Sequence, residues 1–193
     1  MIRHKMKNKH DPPQQPVSPV QIKLLTLFKQ PLTARQLSCK AGLPPSQCSY
    51  QIGSLADFGA LVCLNPTAQN SRVYGLSESG RSVRQRYGQG ALPDYHQPEV
   101  DWPLYGWLCY RHRAAVLKAL TLPMQPSRIK RALRIARPSL RISANNIRDI
   151  IKQFRAKGLV EPVRLPNKAH LRYQLTVTGA KLRQVLIHAE SPF

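Results

Sequence analysis

Lys157-Gly158-Leu159-Val160, followed by Arg172-Tyr173-Gln174-Leu175-Thr176-Val177-Thr178-Gly179, has a counterpart 99 residues earlier in the chain. There the sequence reads Phe58-Gly59-Ala60-Leu61-Val62 and then Arg72-Val73-Tyr74-Gly75-Leu76-Ser77-Glu78-Ser79-Gly80. At this offset Gly158 falls on Gly59, Tyr173 on Tyr74, Leu175 on Leu76, Thr176 on Ser77 and Gly179 on Gly80. Ile147, Ile151 and Phe154 fall on Cys48, Ile52 and Leu55. A solenoid repeats roughly every 20–50 residues. A period as long as a small domain means two similar domains in tandem.

In the first copy, Ser18-Pro19 is a helix start, with serine as N-cap and proline at the first helical position. Ile22, Leu25 and Phe28 follow at helical spacing, and Gln30-Pro31 stops the run. Thr33 opens a second helix carrying Leu37 and Ala41, and Gly42 closes it. Leu43-Pro44-Pro45-Ser46 turns into a third helix, whose apolar positions are Cys48, Ile52 and Leu55 and whose stop is Gly59. Strands are expected at 61–64 and 73–76, joined by the polar, turn-prone Asn65-Pro66-Thr67-Ala68-Gln69-Asn70. Ser77 caps a last helix that runs to about Tyr87.

The second copy has Leu104, Trp107 and Leu108, then Val116, Leu117 and Leu120. Pro123, Ile129 and Leu133 match Pro31, Leu37 and Ala41 at an offset of 92, so seven extra residues lie near 134–142 and a longer turn is expected there. Ser143 caps a helix with Ile147, Ile150, Ile151 and Phe154. Strands at 160–165 and 171–175 flank the tip Pro166-Asn167-Lys168-Ala169-His170. A final helix over 178–188 carries Leu182, Val185 and Leu186. The expected fold class is mainly α with small β-hairpins (α+β), in two tandem domains. The expected organisation is a disordered basic arm over 1–16, domain 1 over 17–88, an acidic, proline-containing linker over 89–102, and a strongly basic domain 2 over 103–193.

The order helix, helix, helix, strand, strand, helix resembles the winged helix-turn-helix fold, seen twice. Each half resembles the MarR- and ArsR-like prokaryotic regulators. In the first copy the matching residues are Cys48, Ile52, Leu55, Gly59, Leu61, Tyr74, Leu76, Ser77 and Gly80. In the second they are Ile147, Ile151, Phe154, Gly158, Leu159, Tyr173, Leu175, Thr176 and Gly179. The resemblance covers about four fifths of the chain. It implies binding of double-stranded DNA and regulation of transcription. Such regulators usually carry one such module per chain and dimerise. This chain supplies two, so monomer and homodimer both stand.

Charge points to the same partner independently. The chain carries a net +21, with a pI near 10.6, and charge of this size bears on partners, not on fold. A polyanion is the natural partner, and nucleic acid is the commonest one. The excess is uneven. Residues 103–193 hold eighteen lysines and arginines against three acids, residues 17–88 hold eight against two, and residues 89–102 hold three acids and no base. The second copy is therefore the expected anchor.

In a helix-turn-helix the second helix lies in the major groove, with its N-terminal residues on base edges. In the second copy that helix offers Asn145, Asn146, Arg148, Asp149 and Lys152. Asparagine suits adenine and arginine suits guanine, because each pairs bidentately. Asp149 either accepts from a cytosine amino group or only orients Arg148 or Lys152. Arg128, Arg131 and Arg134, with Lys130, Arg137 and Arg141 nearby, form a basic face suited to phosphates. The hairpin adds Arg164, Lys168, His170 and Arg172. The first copy offers Ser46, Gln47, Ser49, Tyr50, Gln51 and Arg72, a weaker set that serves either DNA or a protein partner.

Nine acids leave little room for acid–base chemistry, and there is no Gly-rich phosphate loop, Ser–His–Asp pattern or H-E-x-x-H. No enzyme activity and no cofactor are expected. Cys39, Cys48, Cys63 and Cys109 occur singly and read as reduced thiols, with no metal-ligand cluster. No stretch approaches the roughly 18 uncharged apolar residues of a membrane span, so no membrane partner is expected and the location is cytoplasmic, on the nucleoid. Two alternatives stand beside a transcriptional regulator. One is a replication, partition or recombination accessory factor of a mobile element. The other is a winged-helix scaffold for protein or RNA.

Overall fold

Hydroxyl side chains and prolines open most of the helices. The computed structural model describes residues 17–88, 92–164 and 170–191. Ser18 caps α1 (Pro19–Thr26): its hydroxyl accepts from the Gln21 N–H at 3.3 Å while the Gln21 side chain accepts from the Ser18 N–H at 2.9 Å. After β1 (Leu32–Thr33), Thr33 and Gln36 repeat this reciprocal cap at α2 (Ala34–Ala41), which ends on Gly42 at φ +67°. Then come α3 (Pro45–Asp57), β2 (Leu61–Cys63), β3 (Val73–Leu76) and α4 (Glu78–Tyr87). The remaining elements are α5 (Trp102–Leu108), α6 (Arg111–Ala119), α7 (Pro126–Ala136), α8 (Ala144–Ala156), β4 (Val160–Val163), β5 (Arg172–Leu175) and α9 (Val177–Glu190). Among the described residues the protein is thus mixed α+β, with nine helices and two small antiparallel sheets.

The internal repeat holds element by element. Shifting α1 and α2 by 92 gives α6 and α7, and shifting α3, β2, β3 and α4 by 99 gives α8, β4, β5 and α9. The first sheet has the order β1-β3-β2, with Leu61 opposite Leu76 and Cys63 opposite Tyr74. The second pairs β4 with β5, Val160 opposite Leu175. A bridge from Met124 to Tyr173 stands where β1 meets β3 in the first copy. These one- and two-residue pairings have no pattern in sequence, and none was expected. The seven extra residues divide between two places. Helix α7 has 11 residues against 8 in α2, and the connection spans 137–143 against 42–44 in the first copy. Helix α5 has no counterpart among the described residues of the first copy.

The chain divides into two compact units, Met1–Cys63 with Tyr74–Gln97, and Leu64–Val73 with Pro98–Phe193. In the first, Leu24, Leu25, Phe28, Leu37, Ile52 and Leu55 are buried. In the second, Tyr105, Leu117, Ile129, Ile147, Phe154 and Leu186 anchor a larger core, to which Val73 belongs. The tip of the first hairpin is therefore a component of the second unit. Of the acidic stretch, residues 92–97 lie on the first unit. The Tyr95 hydroxyl accepts from the Leu76 N–H at 3.1 Å and donates to the Gln97 side chain at 3.0 Å, and the His96 N–H donates to the Lys29 carbonyl at 2.8 Å. Burial pushes the Tyr95 pKa up, against the opposing effects of the Leu76 N–H and Arg81, so the hydroxyl keeps the proton it donates. Asp101 is the N-cap of α5, accepting from the Leu104 N–H at 2.8 Å.

Both copies close on one joint. Gly59 and Gly158 adopt φ +80° and +67°, in the left-handed region that glycine enters without a Cβ penalty. Each lets the next N–H turn back onto its helix, Ala60 to the Leu55 carbonyl and Leu159 to the Phe154 carbonyl, both at 2.9 Å. The hydroxyls of Ser77 and Thr176 donate to the Gly59 and Gly158 carbonyls, both at 2.6 Å, and accept from Gly80 and Gly179 at 3.0 and 3.1 Å. A Cβ on Gly80 or Gly179 would collide with the carbonyl oxygen of Ala60 or Leu159. Backbone cannot yield as a side-chain tip can. Gly179→Ala is expected to cost about 3 kcal/mol. Gly53→Ala, in α3 with nothing within 4 Å of its Cβ, should stabilise by about 0.5–1 kcal/mol through helix propensity. Urea denaturation of the two variants checks both signs.

Candidate functional site

Helix α8 divides cleanly into two faces. Ile147, Ile150, Ile151 and Phe154 are buried, while Asn145, Asn146, Arg148, Asp149 and Lys152 are all exposed. Ser143 fixes where the helix starts, its hydroxyl accepting from the Asn146 N–H at 3.0 Å. Within the exposed face, Arg148 Nη1 donates to Asn145 Oδ1 at 2.9 Å, which aims the guanidinium along the helix towards its N-terminus. Lys152 Nζ is 3.9 Å from Asp149 Oδ1, and the two side chains are 81% and 62% exposed. So Asp149 faces Lys152, while Arg148 takes its partner from Asn145.

A groove of about 440 Å³ runs beside this face, wholly within the second unit. Gln125, Pro126 and Ser127 at the start of α7 form one side. Arg148, Ile151 and Lys152 of α8 form its floor, and His170, Leu171 and Tyr173 of the second hairpin close it. Three segments that are distant in sequence thus place two cations and an imidazole around one concavity, with no carboxylate among the described residues of its lining. Gln125 is the N-cap of α7 and makes no side-chain cap bond, so its amide is available to the groove. Such a lining offers positive charge and directional N–H donors.

On α7, Ile129 and Leu133 point into the core and leave Arg128, Lys130, Arg131 and Arg134 exposed. The three-residue steps of Arg128, Arg131 and Arg134 form one ridge along the helix. Arg137, expected on the same face, is the C-cap of α7. Its Nη2 lies 3.5 Å from Glu190 Oε2 of α9, which also pairs with Lys118. Ten residues of helix, about 15 Å, separate it from Ser127. Arg141 is exposed in the connection ahead of Ser143, and Arg164 is exposed after β4. Arg172 is half-buried in β5 opposite Val163. Lys168 lies outside the described residues.

No protein-family model, curated protein or solved structure matches this chain.

In the first unit the face of α3 matching that of α8 carries Ser46, Gln47, Ser49 and Tyr50, all exposed, with Gln51 half-buried. None is charged. Ser49 turns its hydroxyl back to the Pro45 carbonyl at 2.9 Å. Arg72 donates Nε to the Ala68 carbonyl at 3.1 Å, within the hairpin tip that belongs to the second unit. Among the described residues no three His, Cys, Asp or Glu side chains come together as metal ligands. No described helix is long and apolar enough to cross a membrane.

Sequence reasoning missed Gln125, Ser127, Leu171 and Tyr173 as groove residues. Pro126 lies in the first turn of α7, and such a proline with polar residues on either side is the sequence signal that locates this wall of the groove. The start of α8 rests on one capping hydroxyl, so Ser143→Ala should lower stability by about 1 kcal/mol, read by thermal or urea denaturation, with Ser143→Asp retaining most of it.

Proposed function

We propose that this chain is a sequence-specific double-stranded DNA-binding protein, a transcriptional regulator built from two winged helix-turn-helix modules, with the second as its main anchor. The observation that carries this reading is the convergence of Arg148, Lys152 and His170 on one carboxylate-free groove, on the half of the chain that holds eighteen of the thirty basic residues. Helix α8 is 13 residues long, about 20 Å, and its exposed face suits the B-form major groove, about 12 Å wide. In that placement Asn145 and Arg148 meet base edges. The bond between them orients the guanidinium before any base arrives, which lowers the entropy lost on forming a bidentate pair with guanine. The ridge Arg128, Arg131 and Arg134 meets phosphates, which fix register without reading sequence.

The first module is proposed to extend the footprint or to hold a protein partner. The partner reading is favoured by Tyr50, 74% exposed and flanked by Ser46, Gln47 and Ser49. An uncharged face with one exposed aromatic has the composition of a protein contact more than of a phosphate grip.

The test compares Arg148→Ala with Arg131→Ala by fluorescence anisotropy, on a selected duplex and on random duplex. Arg148→Ala should weaken the selected site by about 1–3 kcal/mol and spare random DNA. Arg131→Ala should weaken both alike and reduce the salt slope by about one. Equal loss on both duplexes for Arg148→Ala would remove its reading role. A log–log salt slope near zero would remove the polyanion reading altogether.

A further inference from the structure

A second concavity of the second unit, about 690 Å³, is walled by Pro103, Gly106, Trp107, Tyr110 and Arg113, with Gln69 and Asn70 facing them. Gly106 permits this arrangement, because a Cβ there would collide with the Asn65 amide and crowd the Ser71 carbonyl. Asn65 is 1% exposed and holds the facing segment in place. It accepts from the Val73 N–H at 2.7 Å and donates to the Ser71 carbonyl at 3.3 Å. The pocket lies within the size range of small-ligand sites, about 300–1,000 Å³.

The electrostatics here run against the helix that carries them. Helix α6 opens on Arg111, His112 and Arg113, with no acid in its first turn, and its N-cap Tyr110 makes no side-chain cap bond. Positive side chains at the positive end of a helix dipole are unfavourable, and the first-turn N–H groups have no intrahelical acceptor. Local conflicts of this kind concentrate at functional sites. Arg113 is fixed in the pocket wall. Its Nη1 donates to the Trp107 carbonyl at 2.7 Å, and its Cζ lies 4.2 Å from the Trp107 ring centroid and 5.0 Å from that of Tyr110. That bond uses one of five N–H donors. Burial lowers the Arg113 pKa, partly offset by Tyr110, as expected of a cation that has lost water and would regain stabilisation from an anion. Tyr110 is 55% exposed, and beside its contacts with Arg113 and His112 it leaves aromatic surface open to solvent.

We infer that this pocket binds a nucleotide, its base stacked on Tyr110, its base edge on the side-chain amides of Gln69 and Asn70, and its phosphate on Arg113 and the first turn of α6. An apolar ligand would make no use of the two amides or of the Arg113 donors beyond its bond to Trp107. A bare inorganic anion would leave the Tyr110 ring in water. A nucleotide satisfies all three features, since every base has a π-face and an edge of donors and acceptors. It reaches the pocket either free or as an unpaired member of a strand. The pocket stands apart from the α8 groove, and the inference does not depend on duplex recognition.

The chain has two tryptophans, so the full-length Trp102→Phe protein leaves Trp107, in the pocket wall, as the sole reporter. It would be titrated with the nucleoside monophosphates, with the matching nucleosides, and with single-stranded DNA of about ten nucleotides. Saturable quenching by a monophosphate, about tenfold tighter than by its nucleoside, is expected if the source is free nucleotide. Quenching by the oligonucleotide alone assigns the nucleotide to a strand. In either case Tyr110→Ala should weaken binding about tenfold or more, and Tyr110→Phe should retain it. Tyr110 is exposed, and an unchanged melting temperature for both variants separates lost stacking from lost folding. Absence of saturable quenching by monophosphate and oligonucleotide alike, or an affinity unmoved by Tyr110→Ala, overturns the inference.

Discussion

The carbonyl oxygens of Ala60 and Leu159 lie against the first turn of the helix that follows each hairpin, and only a residue without a Cβ fits opposite them. This close approach, with Gly80 in one copy and Gly179 in the other, is the constraint around which each module is arranged. Helix α8, the hairpin that follows it and α9 all meet at the joint formed by Gly158, Thr176 and Gly179. Its hydrogen bonds fix the angle at which the hairpin leaves the helix. That angle brings His170 and Leu171 beside Arg148 and Lys152 and so creates the groove. The apolar stripe Ile147, Ile151 and Phe154 packs behind the joint and keeps the polar face of α8 outward.

The two modules keep this frame and differ in what they display. At the offset of 99, Asn145 stands where the first copy has Ser46, Arg148 where it has Ser49, Asp149 where it has Tyr50 and Lys152 where it has Gly53. The core positions Cys48, Ile52 and Leu55 stay apolar as Ile147, Ile151 and Phe154, while exposed Ser49 and Tyr50 give way to the charged Arg148 and Asp149. A shared scaffold with divergent surfaces is how one fold comes to serve different contacts. The proposal that the second module grips DNA while the first extends or recruits rests on this divergence of surface, because the frames are alike.

Much of the architecture was legible because short-range chemistry specifies it. Ser18, Thr33, Ser77 and Ser143 cap helices as their hydroxyls predict, and Gly42, Gly59 and Gly158 end them. Less legible was whatever depends on distant partners. Neither β1 nor the Met124 bridge has a periodicity, since each consists of one or two residues. The seven extra residues pointed to a longer turn, yet three of them, Arg134, Ile135 and Ala136, extend α7, since none of the three breaks a helix. The exposed face of α8 followed directly from its apolar stripe. Which cations share a surface did not follow, because long side chains find acceptors from elsewhere in the fold. Arg137 turns to Glu190, and Arg72 turns to its own hairpin carbonyl. The pocket at Arg113 was invisible for the same reason: it joins residues 68–71 to residues 103–113 across a separation that no local pattern encodes.

Selection of bound molecules from random duplex DNA, with the full-length protein at near-physiological salt, decides whether the second module reads duplex sequence through α8. Recovery of a defined motif, with at least one position relaxed when Arg148→Ala replaces the parent protein, is the predicted result. Salt-sensitive binding that enriches no sequence, or a motif that Arg148→Ala leaves unaltered at every position, would contradict it.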